Sequence, residues 1–159
     1  MRPIRLKLEG FTSFVKPQEL DFTSLDLFAI TGPTGAGKTS ILDAILYALY
    51  GATPRLGERE IGRLVSLGSV ALKVSLEFET GGKRWRATRT RKRSVSELLL
   101  ETQSGDEWEP VAGGVKEVND RIRSVVGLDF AGFTRSVILP QGRFDEFLRG
   151  EPKQRTEIL

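Results

Sequence analysis

Gly32-Pro33-Thr34-Gly35-Ala36-Gly37-Lys38-Thr39 decides how the rest of the chain is read. The stretch satisfies the phosphate-binding pattern G-x-x-x-x-G-K-[ST] at every fixed position. Its flanks agree with it. Leu27-Phe28-Ala29-Ile30-Thr31 reads as a short buried strand entering the loop, and Ile41, Leu42, Ile45, Ala48 and Leu49 recur on one face of a helix leaving it. In that setting glycines let backbone N–H groups wrap a phosphate. The helix N-terminus adds partial positive charge at the same place. Lys38 is placed to reach the β- and γ-phosphates, and the Thr39 hydroxyl to ligate Mg²⁺, so ATP and Mg²⁺ are the expected cofactors. Without those flanks the stretch would be a glycine-rich turn before a helix.

Composition narrows the chemistry. A chain of 159 residues suits one domain with a real core. It has no cysteine, which excludes a disulfide framework or a thiolate metal site, and no histidine, which removes the commonest general base and metal ligand. Any metal must be held by carboxylates, hydroxyls or the nucleotide itself, which suits Mg²⁺. No apolar run approaches the length of a membrane span and the N-terminus lacks a signal-peptide core, so a cytoplasmic protein without a membrane partner is expected.

Elsewhere the periodicities are clear. Ile4, Leu6 and Leu8 alternate with Arg5, Lys7 and Glu9 in a half-exposed strand, and residues 18–22 form a second. The helix after the phosphate loop spans Lys38 to Tyr50, with Gly51 and Pro54 as stop signals. Val70, Leu72, Val74, Leu76 and Phe78 alternate with Ala71, Lys73, Ser75 and Glu77. Gly81-Gly82 turns that strand into residues 83–91, and a strand over residues 94–101 completes a meander. Gly113-Gly114 precedes a helix from Val115 to Val126 that Gly127 ends, and Pro152 opens a last helix. The expected fold is α/β: a phosphate-loop part with a mixed sheet and an attached antiparallel lobe.

Two blocks make the pattern specific. Residues 27–50 (LFAITGPTGAGKTSILDAILYALY), followed by Thr53-Pro54-Arg55-Leu56, and residues 127–148 (GLDFAGFTRSVILPQGRFDEFL) resemble the SbcC family. Its members are ATPase subunits of bacterial SbcCD nucleases, in the SMC-like branch of ABC-type ATPases. The resemblance implies a P-loop NTPase head. Residues 1–150 would be its N-terminal half, and residues 151–159 the start of a coiled-coil helix. Gly32, Pro33, Thr34, Gly35, Ala36, Gly37, Lys38, Thr39 and Ser40 would hold the nucleotide. Gln141 falls where the family has its Q-loop glutamine, which contacts Mg²⁺ or the attacking water. An amide carbonyl can do that without adding charge. Val65 and Ser66, in Leu64-Val65-Ser66-Leu67-Gly68, correspond to residues near the nucleotide. Many archaeal and eukaryotic relatives carry an arginine beside the phosphates in the first-strand segment, which the bacterial branch generally lacks; here Thr12 takes its place.

The resemblance also implies what the chain lacks. The best hydrophobic run ending in an acid, Leu98-Leu99-Leu100-Glu101, falls in the hairpin region and has no paired acids. In the SbcC family the Walker B strand and signature motif lie beyond a long coiled coil. Implied partners are therefore the C-terminal half of the same head, a second head, the SbcD nuclease subunit and double-stranded DNA. The alternative is a nucleotide-binding scaffold or regulator that does not hydrolyse.

From Lys83 to Arg93, seven of eleven residues are basic: Lys83, Arg84, Arg86, Arg89, Arg91, Lys92 and Arg93. Alternation places Arg84 and Arg86 on one strand face, and Arg89 and Arg91 on the other. Such a strand can track a phosphodiester backbone without reading bases, or it can be a solvated edge whose charge blocks pairing. Both readings stand on the sequence. Trp85 has no second aromatic beside it and is expected in the core rather than as a stacking platform.

Overall fold

The computed structural model describes residues 1–137, which divide into one compact unit, Met1–Gly127, and a second beginning at Leu128. The first unit is built on a six-stranded sheet: β1 (Arg2–Glu9), β2 (Gln18–Asp21), β3 (Ala71–Thr80), β4 (Lys83–Lys92), β5 (Val95–Ser104) and β6 (Glu107–Gly113). The strand order is β2-β1-β3-β4-β5-β6, and every pairing is antiparallel. Two helices, α1 (Lys38–Tyr50) and α2 (Val115–Val126), cover one face: α1 lies against β3 and β4, α2 against β5 and β6.

Alternation explains which face is covered. Register aligns Leu6, Leu76, Ala87, Leu100 and Ala112 in one row across five strands, all buried. Leu8, Val74 and Leu98 belong to the next row, with Arg89 between the last two. Each fully buried leucine or valine contributes about 1.5–3 kcal/mol relative to exposure. The opposite face carries Lys7, Lys73, Ser75, Glu77, Arg86, Thr88 and Glu101 around a broad open cleft of about 730 Å³. Gly81 and Gly82, at φ 59° and 71°, make the two-residue turn that sets Thr80 opposite Lys83.

Three expectations change. Leu27–Thr31 is not a buried strand: it bonds to no strand among the described residues, and Leu27 is 92 % exposed. A buried strand needs neighbours for its N–H and C=O groups, and the described strands all pair with one another instead. The parallel part of the expected mixed sheet is thus not formed among the described residues. Second, β6 extends the meander; its charged Glu107-Trp108-Glu109-Pro110 sequence hides it, because an edge strand tolerates both charge and proline. Third, α1 is buried on most sides rather than one: Asp43, Ala44, Leu46 and Tyr47 join the expected apolar set, while Leu42 is exposed. Val70, expected on the core face of β3, is also exposed.

The second unit is described through α3 (Phe130–Ser136), whose first turn is capped by Asp129 accepting from the Gly132 N–H at 2.7 Å. The Pro152 helix and Gln141 lie outside the described residues.

Asp43 is ion-paired with Arg55, whose side chain is half-exposed whereas the Asp43 carboxylate is enclosed. Burial pushes the Asp43 pKa up, and Arg55 offsets this only in part. The folded state therefore holds the Asp43 proton more tightly than the unfolded chain does. Stability contributed here falls as pH rises through the range above the ordinary carboxylate pKa. Arg55→Met should lower stability at pH 7 by about 1–3 kcal/mol, the cost of an unpaired buried acceptor, and by less at pH 4.5. Asp43→Asn should cost less at pH 7, because the arginine left behind is hydrated. Denaturant unfolding of both variants at the two pH values measures the asymmetry.

Candidate phosphate-loop site

The loop has the backbone its glycines permit. Gly32, Gly35 and Gly37 sit at φ 149°, 83° and 89°, values strained for any side chain. Gly37 is the N-cap of α1, and its carbonyl accepts the first helical hydrogen bond from Ile41 N–H at 3.3 Å. The first turn of α1 contains no acidic residue, so the helix N-terminus keeps its affinity for an anion. Lys38 Nζ donates to the carbonyls of Gly32 and Pro33, both at 2.8 Å, which holds the ammonium over the loop. Thr34 and Ala36 lie in the exposed loop, Thr39 is exposed at its end, and Ser40 is buried.

A second segment walls the loop. A Cβ on Gly37 would stand 2.5 Å from Ser13 Oγ and 3.1 Å from the Phe14 ring. The Gly10–Phe14 turn is itself tied to residues 64–66. Thr12 N–H donates to Leu64 O at 2.7 Å, Ser66 N–H to Gly10 O at 2.8 Å, and Phe11 bridges to Val65. The fold thus links Val65 and Ser66 to the phosphate loop through this turn. Thr12 has the positive φ of 49°, and its hydroxyl, like that of Ser66, is buried without a hydrogen-bond partner among the described residues. Spacing along the chain could not reveal this wall, because its contacts are long-range.

The residues fit a nucleotide phosphate group with Mg²⁺: positive-φ glycines, a helix N-terminus, the Lys38 ammonium and the exposed Thr39 hydroxyl. No group of three or more acidic residues that could hold a metal occurs among the described residues. The Thr39 hydroxyl and the phosphates themselves are oxygen ligands of the kind Mg²⁺ takes. Glu101 is no metal ligand here, because its carboxylate is engaged by Arg86 in two hydrogen bonds of 2.7 Å.

The basic cluster separates into different roles. β4 lies between β3 and β5, so it is an interior strand and not a solvated edge. Arg84 faces Glu79 at 4.0 Å. Arg86 is neutralised by Glu101 and lies 4.4 Å over the Trp108 ring. Arg91 donates to Ser96 Oγ at 3.0 Å. Lys92 and Arg93 are exposed at the β4–β5 turn. Arg89 must be withdrawn from any DNA surface: it is 5 % exposed, and its guanidinium is bonded to Ala48 O, Leu49 O and Asn119 Oδ1. Burial lowers its pKa to about 10. The signal existed in the sequence, since Arg89 shares the parity of Trp85 and Ala87, both buried. Trp85 is in the core as expected.

Comparison with known proteins follows the same lines. A family model described as an AAA domain matches residues 5–159, and the chain belongs to that family. It is 49 % identical to the SbcC subunit of the nuclease SbcCD from Deinococcus radiodurans, across all of this chain and 18 % of that protein. It is 42 % identical to a probable DNA double-strand break repair Rad50 ATPase of Aquifex aeolicus, across all of this chain and 16 % of that protein. The chain therefore spans less than a fifth of the length of these relatives. The SMC head domain from Thermotoga maritima shares the fold, with a TM-score of 0.54 and 24 % identity over 95 % of this chain and 52 % of that one.

Gly37→Ala tests the wall. The new methyl group meets Ser13 and Phe14, and alanine at this φ costs about 1–2 kcal/mol by itself. The melting temperature should fall by several degrees, as about 1 kcal/mol shifts a domain of this size by roughly 2–4 °C or more. An unchanged melting curve would mean that the turn does not hold the loop.

Proposed function

We propose that this AAA-domain chain is the ATP-binding N-terminal half of the head of an SbcC-like ATPase that acts in DNA double-strand-break or hairpin processing. In this reading residues 1–150 belong to that half, and residues 151–159, which lie outside the described residues, are assigned to the start of a coiled coil. The observation that carries the reading is the glycine loop on the acid-free N-terminus of α1, with Lys38 folded onto it. In this reading the loop amides and Lys38 hold the β- and γ-phosphates, and Thr39 and Gln141 hold Mg²⁺. Bound Mg²⁺ neutralises charge that develops on the phosphates during transfer.

The exposure of Leu27 and the lack of a strand beside Leu27–Thr31 among the described residues support a head completed from elsewhere. A strand of the C-terminal half would pair there and bring the Walker B glutamate and the signature motif. Two such heads would close on ATP and gate the access of DNA to the SbcD nuclease. Alone, the chain binds nucleotide and turns it over negligibly, because Gln141 is a poor base.

The decisive experiment is reconstitution with the C-terminal half. Mixing should restore ATP hydrolysis, and Lys38→Ala should abolish both hydrolysis and calorimetric Mg·ATP binding through loss of a charge-assisted contact. Binding without restored hydrolysis would favour the scaffold or regulatory alternative. Unchanged nucleotide affinity in Lys38→Ala would refute the site.

A DNA contact on this half is proposed for the exposed cations Lys92 and Arg93, not for the whole of β4. Charge reversal of both should weaken DNA binding by the assembled head and flatten its salt dependence by about one unit of slope for each phosphate no longer touched, with ATP binding intact. Binding titrations at several salt concentrations measure this, and an unchanged slope would rule these two cations out.

A further inference from the structure

We infer that Arg89 is a positioning residue: it fixes the direction of α1, and with it the placement of the phosphate loop, and it ties that placement to α2. The inference rests on the reading of residues 32–39 as a nucleotide site.

Arg89 stands in a core row of the sheet, where Val74 and Leu98 are its cross-strand partners. Packing alone would favour an apolar residue at this position, because burying a guanidinium is costly. The structure shows what its charge is used for. Arg89 Nε donates to Ala48 O at 2.9 Å and Nη2 to Leu49 O at 2.8 Å, so the side chain closes over the C-terminal turn of α1. The last carbonyls of a helix have no partners within it and form its negative end. The last turn of α1 has no basic residue of its own, and β4 supplies the cation instead. Nη2 also donates to Asn119 Oδ1 on α2 at 2.7 Å. Gly51 completes the fit: it caps α1 at φ 68°, and a Cβ there would stand 2.9 Å from Arg89 Nη1.

Lys38 and Ala48 lie on one continuous helix. At 1.5 Å per residue they are about 15 Å apart, so a tilt of roughly 5° at the capped end moves the phosphate loop by about 1 Å. Displacements of that size matter for a site that works by positioning. Lys38 ties Gly32 and Pro33 back to α1 itself, residues 32–36 are otherwise exposed, and Gly37 meets the Ser13–Phe14 wall at one side, so the loop follows the helix. A displacement of α2 reaches the loop through Asn119, Arg89 and the axis of α1.

Three variants in the assembled head test this: Arg89→Met, Asn119→Ala and Asn119→Asp. Methionine keeps the volume and suits the core row, so a cap that only stabilises the fold would leave the Mg·ATP Kd unchanged in folded protein. Calorimetric titration with Mg·ATP, well below each melting temperature, should instead show affinity reduced about tenfold in Arg89→Met and several-fold in Asn119→Ala. Asn119→Asp keeps an acceptor for the guanidinium and should bind like the parent. Amide exchange across residues 35–39 without nucleotide should quicken in the first two variants alone. Folded Arg89→Met with parental Kd and parental exchange overturns the inference. If Arg89→Met does not fold, Asn119→Ala decides on the same two readouts. Lys38→Ala, measured alongside, separates the premises: parental ATP affinity there defeats the nucleotide site, and the exchange data still decide whether Arg89 positions the loop.

Discussion

The burial of α1 against β3 and β4 is the contact on which the remainder of the structure rests. Nine of its thirteen residues are buried, so packing confines it together with the Arg89 contacts at its C-terminal turn, and the loop it carries inherits that position. An anion site at a helix N-terminus needs its backbone N–H groups aimed in advance, since they cannot be reoriented cheaply once the helix is formed. Burying the body of the helix while leaving Thr39 and the loop before it exposed meets that need. The exposed Gly32–Ala36 segment and the buried residues 43–49 are two ends of one arrangement.

Charge on the sheet follows from the same geometry. On the open face, positive and negative side chains neutralise one another: Arg86 with Glu101, Arg5 with Glu19 and Asp21, and Lys7 with Glu19. Such exposed or half-exposed pairs add little stability each, but they leave the face without a large positive field. On the covered face the buried Arg89 guanidinium is held by carbonyl and amide oxygens rather than by a carboxylate. The result is a lobe whose strongly basic strand offers few free cations, and those at its turn.

Much of the fold was legible in the residues. The bounds of α1 and α2 and their terminating glycines follow from period and capping, and the β3–β4 hairpin from alternation around Gly81-Gly82. The candidate phosphate loop was legible as a motif because it is contiguous: eight residues contain the glycines, the lysine and the hydroxyl together. The Ser13–Phe14 wall and the Thr12–Leu64 and Ser66–Gly10 links were not, since each joins segments far apart in the chain. Arg89 was misread for a related reason. Its parity with Trp85 and Ala87 points to the core, and only the carbonyls of α1, brought to it by folding, explain a cation there.

The sequence by itself determined the bounds of α1 and α2, the β3–β4 hairpin and the glycine pattern of residues 32–39, because these depend on neighbours within a few positions. Only the tertiary structure decided which strands are interior, that β4 is flanked on both sides, and that Leu27–Thr31 has no strand beside it among the described residues. Strand pairing is a contest among distant segments for the same hydrogen-bonding groups, and a strand's own residues do not record its outcome. The enclosed Asp43 carboxylate and the capped end of α1 belong to the same class: each charge is placed where it is by a partner that folding brings to it.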